Sequence, residues 1–553
     1  AAGARRIGAS PLAPEAALRP HWGLSGTNAA EGQEGHALSF SDHDLREDKK
    51  VLHGMGYAQE LSRSMSRFSN FAISFSIICI LSGGINSFAQ ATSSVGGAGA
   101  GIGWIVGSAL SGLFALAMAQ IASAFPTAGG LYHWASILGN RFWGWLTAWL
   151  NLFGLVTVLG AINIGTALFF QATFGTLIGM EASAWHVALF VAVITAVQAV
   201  FNHVGIRVTA MLTDFSGYLI LATTAVLVVS LLAFAPAIDL TRLWTFQNFS
   251  GEAGGNVFPQ SGSLGYLFLL SLLLPVYTIT GYDASAHTSE ETVRAAHSVP
   301  RAIVSAVVWS SLAGWVMVMA ITLAIPDLAA GAAQGWGVFF ATMDAVLPAW
   351  LKTLLYVGIF LAQFLCGLAT VTSASRMLFA FARDDGMPVG SRALAKVSPR
   401  FRTPVTAIWT ASGLTVLYVF LAQFVSFGGT NLYTIVVNST LVFLFLSFTI
   451  PLVAGALAFG GPRWPVAGPW TMGGALYRLV TLAAVGAMGI IFFIAVQPPN
   501  GTVLWIVIGF LALAALLWVT VENRRFRGPP VGEEIARRQA LIAEAERLVG
   551  ERA

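Results

Sequence analysis

The 553-residue chain contains little charge and almost no cysteine. Charged residues make up 10% of it, whereas soluble domains carry about 25%. The two cysteines, Cys79 and Cys366, lie inside apolar runs, so neither a disulfide framework nor a cysteine-based metal cluster is available. Residues 1–50 lack the apolar segment that a cleavable signal peptide requires. These shortages exclude a soluble globular domain and a small scaffold held together by disulfides or metal.

Apolar residues dominate the chain instead, at 56% of the sequence. A helix that crosses a bilayer needs about 20 mostly apolar residues. The sequence therefore predicts an all-α integral membrane protein with about twelve transmembrane helices. The predicted spans are 68–92, 100–125, 142–174, 184–201, 208–234, 264–288, 301–325, 349–382, 403–424, 431–459, 474–496 and 501–521.

Three domains follow from this pattern. Residues 1–62 are polar and aperiodic, and they are predicted to form a mobile cytoplasmic tail with a short helix near its end. Residues 63–525 form the transmembrane domain, and residues 526–553 form a second cytoplasmic tail. The net charge of +4 is small and gives no reason to expect a nucleic-acid partner. The partners expected from the sequence are the lipid bilayer and a small solute.

Lys and Arg are distributed unevenly between the predicted loops. With the N-terminus inside, the external loops and helix ends hold only Arg242 and Lys352. Because basic residues mark cytoplasmic loops, we predict a multi-pass protein of the plasma membrane (the inner membrane in a bacterium) with both termini in the cytoplasm. The internal residues are Arg141, Arg207, Arg294, Arg301, Arg376, Arg383, Arg392, Lys396, Arg400, Arg402, Arg463 and Arg478.

Two of the apolar runs are interrupted at corresponding places. The first run breaks at "SGGINS", 82–87, and the sixth breaks at "TITGYD", 278–283. Non-helical backbone survives at membrane depth only where it is buried in protein or lines a cavity. Interrupted helices at matching positions of two halves indicate a transporter site at their meeting point. We therefore predict two five-helix repeats in inverted orientation, with discontinuous helices 1 and 6, plus two extra helices.

The residues at the breaks suggest a ligand. Ser82, Gly83 and Gly84 are predicted to leave N–H groups exposed at the start of a half-helix, where the helix dipole favours a carboxylate. Carbonyl groups around 277–280 would then accept hydrogen bonds from an ammonium group. One donor cluster and one acceptor cluster together suit a zwitterion, which indicates an amino acid.

Two ionisable residues follow the second break. A carboxylate inside a membrane segment is costly and usually functional, so Asp283 is assigned to coupling or gating. His287 lies one helical turn later, where it is predicted to pair with Asp283, cap the inner end of the helix or relay protons. Asp214, near Arg207, is interpreted as structural.

Three further stretches resemble a known family. They are "QIASAFPTAGGLYHWASILG" (120–139), "GYDASAHTSEET" (281–292) and "SASRMLFAFARDDGMP" (373–388). In this order they are similar to the hallmark segments of amino acid permeases of the APC superfamily, closest to the amino acid/choline transporter branch that includes GABA permeases. The resemblance extends over about 44–525.

The resemblance implies a twelve-helix, five-plus-five inverted-repeat fold that works by alternating access. It also implies a hypothesis for the inner gate, in which Arg376, Arg383 and Asp384 hold the gate shut through ion pairs. The substrate contacts implied by the family are Ser82, Gly83, Gly84, Ile85, Tyr277, Thr278, Thr280 and Gly281.

The chain departs from the family pattern where a coupling ion would act. Relatives usually carry a Glu where this chain has the neutral Gln120, and the Lys that some proton-coupled relatives place in helix five is missing from 208–234. Proton and sodium coupling both stay open. For a proton the predicted carrier is Asp283. For sodium the candidate ligands are the hydroxyls of Thr370, Thr372 and Ser373.

The leading hypothesis is a secondary active transporter for amino acids, with GABA or a related amine among the candidate substrates and ion-coupled symport as the expected mode. An uncoupled exchanger or facilitator is the first alternative, and a membrane sensor or receptor is the second. An enzyme is disfavoured because the nine His residues show no metal-binding spacing and no nucleophile stands beside a base. We predict no catalytic residues, metal or cofactor.

Overall fold

The structure is a computed structural model, and it describes residues 41–179, 183–424 and 432–549. Within these ranges the chain is helical, and its only bridges between extended segments are the isolated pairs Met65–Thr292 and Phe459–Trp464. Eleven helices of the described part are long and apolar enough to cross a membrane. The predicted all-α membrane class is confirmed.

The helices follow the order of the predicted apolar runs. In chain order they are α1 (Asp42–Gly54), α2 (Arg67–Ile78), α3 (Ile80–Asn86), α4 (Ala89–Val95), α5 (Trp104–Ala124), α6 (Gly130–Trp134), α7 (Arg141–Ile178), α8 (Ala184–Val204), α9 (Ile206–Phe234), α10 (Leu264–Ser271), α11 (Leu273–Thr278), α12 (Ala284–His287), α13 (Ala295–Ala324), α14 (Leu328–Ala333), α15 (Val338–Val346), α16 (Ala349–Arg383), α17 (Ser391–Leu394), α18 (Val405–Phe424), α19 (Leu432–Ala458), α20 (Gly474–Ala495), α21 (Gly501–Leu517), α22 (Asn523–Arg525) and α23 (Glu533–Leu548). The sixth predicted span is divided between α10, α11 and α12, which explains why eleven long helices stand for twelve apolar runs.

Polar residues fix where several of these helices begin. The Ser66 hydroxyl accepts a hydrogen bond from the Ser69 N–H at the start of α2. The Asn140 side chain accepts from the N–H groups of Phe142 and Trp143 at the start of α7. Each such cap contributes about 1 kcal/mol. The helix starts are therefore encoded locally, next to the apolar runs that they introduce.

The ten helices of the two predicted repeats pack symmetrically. Positions one to five are α2–α3, α5, α7, α8 and α9, and positions six to ten are α10–α12, α13, α16, α18 and α19. Position two packs on seven, three on eight and four on nine. Position one contacts position seven, and in the same way position six contacts position two. Position five contacts position eight, and in the same way position ten contacts position three. This exchange symmetry is the packing expected of a five-plus-five repeat, and α20 and α21 lie outside it.

The outer helices expose large apolar side chains. Val229 on α9, Leu482 on α20 and Trp505 on α21 are each at least 67% exposed. Exposure of large apolar side chains on several helices marks contact with a membrane or a partner. Together with the eleven long apolar helices, it identifies a multi-pass membrane protein.

The segment 42–66 packs on the helix ends, although 1–62 was predicted to be a mobile tail. α1 contacts α23, where the Lys49 ammonium lies 2.8 Å from the Glu546 carboxylate. Leu61 is fully buried. The part of the predicted tail that the structure describes is therefore packed, because its apolar residues find partners on distant helices. Residues 1–40 lie outside the described ranges.

Candidate functional site

Two helices of the repeats are discontinuous. α2 and α3 are separated by Cys79, whose φ is +29°. α11 ends at Thr278, and α12 begins at Ala284. The break predicted in the sixth run is confirmed in place. The break in the first run exists, but it precedes the predicted Ser82, because the chain turns at Cys79 and 82–86 are helical.

The two breaks cross each other at glycines. A Cβ on Gly83 would lie 2.8 Å from the Cα of Thr278. A Cβ on Gly281 would lie 2.2 Å from the Cγ2 methyl of Ile77, and Gly281 has a φ of +85°, which favours glycine. Each discontinuous helix therefore approaches the other through a residue without a side chain, so the backbones of the two breaks lie next to each other.

The backbone groups predicted to be free at the breaks are partly engaged. The N–H groups of Ser82 and Gly83 donate to the Cys79 carbonyl at 2.7 and 3.1 Å. The predicted exposure of these two donors is therefore wrong for this conformation, because unwinding one turn earlier turns the Cys79 carbonyl towards them. The Tyr277 carbonyl, predicted as a free acceptor, accepts a hydrogen bond from the Thr280 hydroxyl at 2.8 Å.

The other predicted contact residues lie along the same crossing. Thr278 donates its hydroxyl to the Leu274 carbonyl one turn earlier, and Gly84 lies against the Met317 side chain of α13. Ile85 lines a cavity of about 100 Å³, which also contains the buried Asn86 amide nitrogen without a hydrogen-bond partner in the described part. The cavity is completed by Gly165, Leu168, Phe169, Trp336, Phe339 and Phe340.

A buried polar cluster surrounds Asp283. Its Oδ2 accepts a hydrogen bond from the Asn151 amide at 3.2 Å and lies 3.3 Å from the His287 Nε2. The Asn151 amide also contacts the Ser447 hydroxyl at 3.2 Å. The Asp283 Oδ1, the Asn151 Oδ1 and the Tyr282 hydroxyl are buried without a partner among the described atoms. Since buried polar groups are nearly always hydrogen-bonded, such a cluster points to a polar ligand or a proton.

Two buried ion pairs join α16 to the segment that follows α12. Arg376 forms two hydrogen bonds to Glu291, at 3.0 and 2.9 Å. Arg383 forms two to Glu290, at 3.0 and 2.9 Å, and Glu290 also accepts the Ala128 N–H. Burial alone would raise the pKa of Glu290, but the Arg383 charge and its hydrogen bonds outweigh burial and hold that pKa below its ordinary value.

Asp384, which follows Arg383 in the chain, belongs to the same cluster. The hydroxyls of Tyr57 and Tyr132 both donate to its Oδ2, at 2.7 and 3.0 Å. Arg538 of α23 lies 3.6 Å from its other oxygen. Burial raises the pKa of Asp384, and the nearby Arg383 guanidinium opposes that effect. Tyr57 also lies under the Arg383 guanidinium, at 3.9 Å from the ring centre.

The gate hypothesis named Arg376, Arg383 and Asp384, and all three lie in this cluster. It did not name the carboxylates that pair with the two arginines. Glu290 and Glu291 had no assigned role, although they fall inside a quoted hallmark segment. A usable signal existed, because Arg376 and Arg383 are seven residues apart and therefore lie on one helix face. Two adjacent carboxylates in a chain so poor in charge were their natural partners.

The candidate sodium ligands have separate surroundings. Thr370 donates its hydroxyl to the Cys366 carbonyl of its own helix, at 2.9 Å. Thr372 donates to the Asn202 side chain of α8, at 2.7 Å. The Ser373 hydroxyl is buried without a partner within the described ranges. The first two hydroxyls thus serve helix packing here, and the sodium assignment stays a prediction.

His133 lies beside this cluster, with its ring 5.5 Å from that of Tyr57, and its pKa predicts how the stability of the protein depends on pH. Burial, aided by the Arg383 charge, lowers its pKa to about 3, whereas an unfolded chain protonates His near pH 6.5. Between pH 6.5 and about pH 3, the unfolded chain therefore carries a proton on this imidazole that the folded protein does not carry. Each pKa unit corresponds to about 1.4 kcal/mol, so the free energy of unfolding should fall by a few kcal/mol as pH falls through this window.

The measurement is the melting temperature in detergent micelles between pH 7 and pH 4. In His133→Asn the Asn oxygen replaces the Nδ1 atom that contacts the Thr127 hydroxyl at 3.0 Å. This variant should lose less stability on acidification than the wild type. Parallel pH profiles for the two proteins would contradict the assignment.

Comparison with known proteins gives consistent matches over most of the chain. The sequence model described as "Amino acid permease" matches residues 65–522. The chain is 30% identical over 508 residues to "Amino-acid permease BAT1" of Arabidopsis thaliana, covering 86% of this chain and 95% of that protein. It is 30% identical over 507 residues to the BAT1 homolog of Oryza sativa, covering 86% and 94%. It is 27% identical over 529 residues to "Amino-acid permease 2" of Neurospora crassa, covering 90% and 92%.

Proposed function

Because this chain belongs to the amino acid permease family, we propose that it moves amino acids across the plasma membrane by alternating access, driven by an ion gradient. The family membership makes the chain a transporter of amino acids rather than an enzyme. Three further points are proposals: the position of the substrate, the movement that exposes it and the source of energy.

The crossing of the two discontinuous helices is the observation that carries the proposed substrate position. Gly83 approaches the Thr278 backbone there, and Gly281 approaches the Ile77 side chain, so that small rotations of either half-helix would release polar main-chain groups. Such groups bind the carboxylate and ammonium of any amino acid without contacting its side chain. The proposed contact residues are Ser82, Gly83, Gly84, Ile85, Tyr277, Thr278, Thr280 and Gly281.

The buried ion pairs support the proposed movement. Arg376 and Arg383 lie on α16, while Glu291 and Glu290 follow α12, which is continuous with the broken sixth helix. Separating these elements opens a route from this end of the helices to the crossing. The distribution of Lys and Arg supports a cytoplasmic position for this gate and for both termini.

Coupling to a proton is favoured over coupling to sodium. Asp283 is fully buried with one unpartnered oxygen in the described structure, whereas the hydroxyls of Thr370 and Thr372 donate to different partners, the Cys366 carbonyl and the Asn202 side chain. A proton on Asp283 removes the cost of a buried charge. An uncoupled exchanger is the alternative, and it would leave Asp283 with a structural or gating role.

Replacing Glu290 with Gln is expected to loosen the gate. Gln preserves the shape of the side chain and the acceptor for the Ala128 N–H but removes the charge that holds Arg383. Hydrogen bonds to charged groups contribute about 1.5–3 kcal/mol, so we expect the open state to be populated roughly tenfold more. Cys79 and Cys366, both buried near the crossing, report opening through their rate of reaction with a water-soluble maleimide.

The matched control is Asp239→Asn, whose exposed carboxylate lies 3.9 Å from Arg242, away from this gate. It should react at the wild-type rate. Equal cysteine reactivity in wild type and Glu290→Gln would contradict the gate assignment.

Uptake into proteoliposomes tests the proposed function. The purified full chain would be reconstituted and supplied with a panel of labelled amino acids that includes GABA. A pH gradient and a sodium gradient would be imposed separately, with protein-free liposomes as the control. Accumulation driven by one gradient would establish active transport and identify the ion. Exchange that neither gradient affects would favour the uncoupled exchanger, and binding without transport would favour a sensor.

A further inference from the structure

The hydrogen-bond partners of His287 fix where its protons must be. Its Nδ1 lies 3.2 Å from the Ala128 carbonyl oxygen, and its Nε2 lies 3.3 Å from the Asp283 Oδ2. A carbonyl oxygen only accepts hydrogen bonds, so the Nδ1 carries a hydrogen. In a neutral imidazole the Nε2 then presents a lone pair to Asp283. An ionised carboxylate facing that lone pair is repelled, so this geometry requires one further proton between Asp283 and His287.

From this geometry we propose that Asp283 and His287 together form the proton-carrying unit of the transporter and that loss of their shared proton loosens the gate through Ala128. This inference rests on the function proposed above and deepens it. The protonated pair has no net charge whichever residue holds the proton. That neutrality suits its position, since both side chains are fully buried.

Loss of the shared proton changes which hydrogen bonds are possible. Asp283 becomes a full carboxylate, and the one remaining imidazole hydrogen forms its strongest bond with that carboxylate through Nε2. The Nδ1 is then left with a lone pair against the Ala128 carbonyl. The contact between His287 and Ala128 becomes repulsive, and the released proton passes to water as the site opens.

Ala128 connects this change to the gate. Its carbonyl accepts from His287, and its N–H donates to the Glu290 carboxylate at 3.0 Å. Glu290 is in turn held by Arg383. Movement of Ala128 away from His287 therefore weakens the support of the ion pair that closes the gate. One proton thereby affects both the charge of the site and the closure of the gate.

The surrounding ionisable groups are occupied elsewhere or lie outside direct contact. Arg376 and Arg383 pair with Glu291 and Glu290, and His133 contacts the Thr127 hydroxyl. The group of α7 that donates to Asp283 is the uncharged Asn151 amide, which also donates to the uncharged Ser447 hydroxyl of α19. The other described ionisable residues near the pair or on the elements that contact it are Arg67, Tyr132, Arg141, Tyr282, His297, Arg301, Lys352, Tyr356 and Cys366.

The test compares wild type, Asp283→Asn, His287→Gln and the control Asp214→Asn in proteoliposomes. Asp214 lies on α9, and its carboxylate accepts a hydrogen bond from the Ser69 hydroxyl at 2.9 Å. Two quantities are measured with the panel amino acid that the wild type exchanges fastest. The first is accumulation driven by a pH gradient. The second is exchange at equal pH on both sides, which needs no net proton movement, measured from about pH 5 to pH 8.

We expect Asp283→Asn and His287→Gln each to lose gradient-driven accumulation by about tenfold or more. Both variants should retain exchange, and that exchange should no longer vary with pH. Asp214→Asn should behave like the wild type. Retained exchange distinguishes a coupling role from a purely structural one, because a misfolded protein loses both activities.

Several outcomes would overturn the inference. Full proton-driven accumulation by His287→Gln would show that Asp283 acts alone, and accumulation driven only by sodium would remove the proton role altogether. If His287→Gln does not fold, His287→Asn takes its place. Proton flux into the vesicles is then measured for this variant, for Asp283→Asn and for the wild type with a pH-sensitive dye inside the vesicles. Flux present in the wild type and missing from both Asp283→Asn and His287→Asn supports the pair, whereas flux retained by His287→Asn or missing from the wild type overturns it. A wild type without exchange or uptake of any panel member would overturn the proposed function itself.

Discussion

Replacing Arg376 with Ala is expected to lower the free energy of unfolding by about 3–5 kcal/mol, because it leaves Glu291 as an unpaired charge in the interior. Arg376 and Glu291 are both fully buried and joined by two hydrogen bonds. The measurement is denaturant-induced unfolding in mixed micelles, followed by the fluorescence of the buried tryptophans.

A double variant separates the burial penalty from the role in transport. Arg376→Met combined with Glu291→Leu removes both charges and should recover most of the lost stability, since apolar replacements of buried ion pairs are often neutral. The same double variant should still transport poorly, because its gate lacks the pair. Arg537→Ala serves as the surface control, since its pair with Glu533 is exposed and should contribute little. A loss in Arg376→Ala no larger than in this control would contradict the prediction.

Gly281→Ala is expected to abolish measurable uptake while leaving a folded protein. Its new Cβ would lie 2.2 Å from the Ile77 methyl, and overpacking of this kind costs about 1–3 kcal/mol. The positive φ of Gly281 adds about 1–2 kcal/mol for any other residue. These costs fall on the contact between the two broken helices, so the half-helices are pushed apart where the substrate is proposed to bind. Initial uptake rates and the melting temperature are the two measurements.

Two further variants make this prediction specific. Gly265→Ala lies in α10, the first part of the same broken helix, where a Cβ meets no atom within 4 Å, and it should transport normally. Ile77→Ala combined with Gly281→Ala removes the 2.2 Å contact but leaves the position-77 Cβ at 3.1 Å and the backbone strain, so it should recover part of the uptake. Wild-type uptake by Gly281→Ala would show that the crossing tolerates a side chain.

Much of the fold is predictable from the sequence because its signals are local. A run of about 20 apolar residues specifies a membrane helix wherever it packs. The glycine-containing interruptions at 82–87 and 278–283 predict that two of these helices are broken. The location of the first break was less predictable. "SGG" is the visible signal, yet the chain turns at Cys79 and uses Gly83 for a close approach to Thr278. A glycine needed for packing has the same appearance in sequence as a glycine needed for unwinding.

The site was predictable only in part for a similar reason. Asp283 and His287 lie one helical turn apart, so their pairing follows from helix geometry. Their partners Asn151 and Ala128 come from other helices and loops, and no local pattern selects them. Gln120 was recognised as a departure from the family, but the structure alone shows its oxygen accepting the Met472 N–H at 2.8 Å.

The sequence by itself therefore determined the membrane class, the spans, the pair of broken helices and the family. The tertiary structure decided which charges meet. Tyr57 reaches Asp384 across 327 positions, and Arg383 reaches Glu290 across 93. Apolar runs and helix breaks are specified by neighbouring residues, whereas the partner of a buried charge is chosen by whichever group the packed helices bring within hydrogen-bonding distance, since an unpaired charge is too costly to bury.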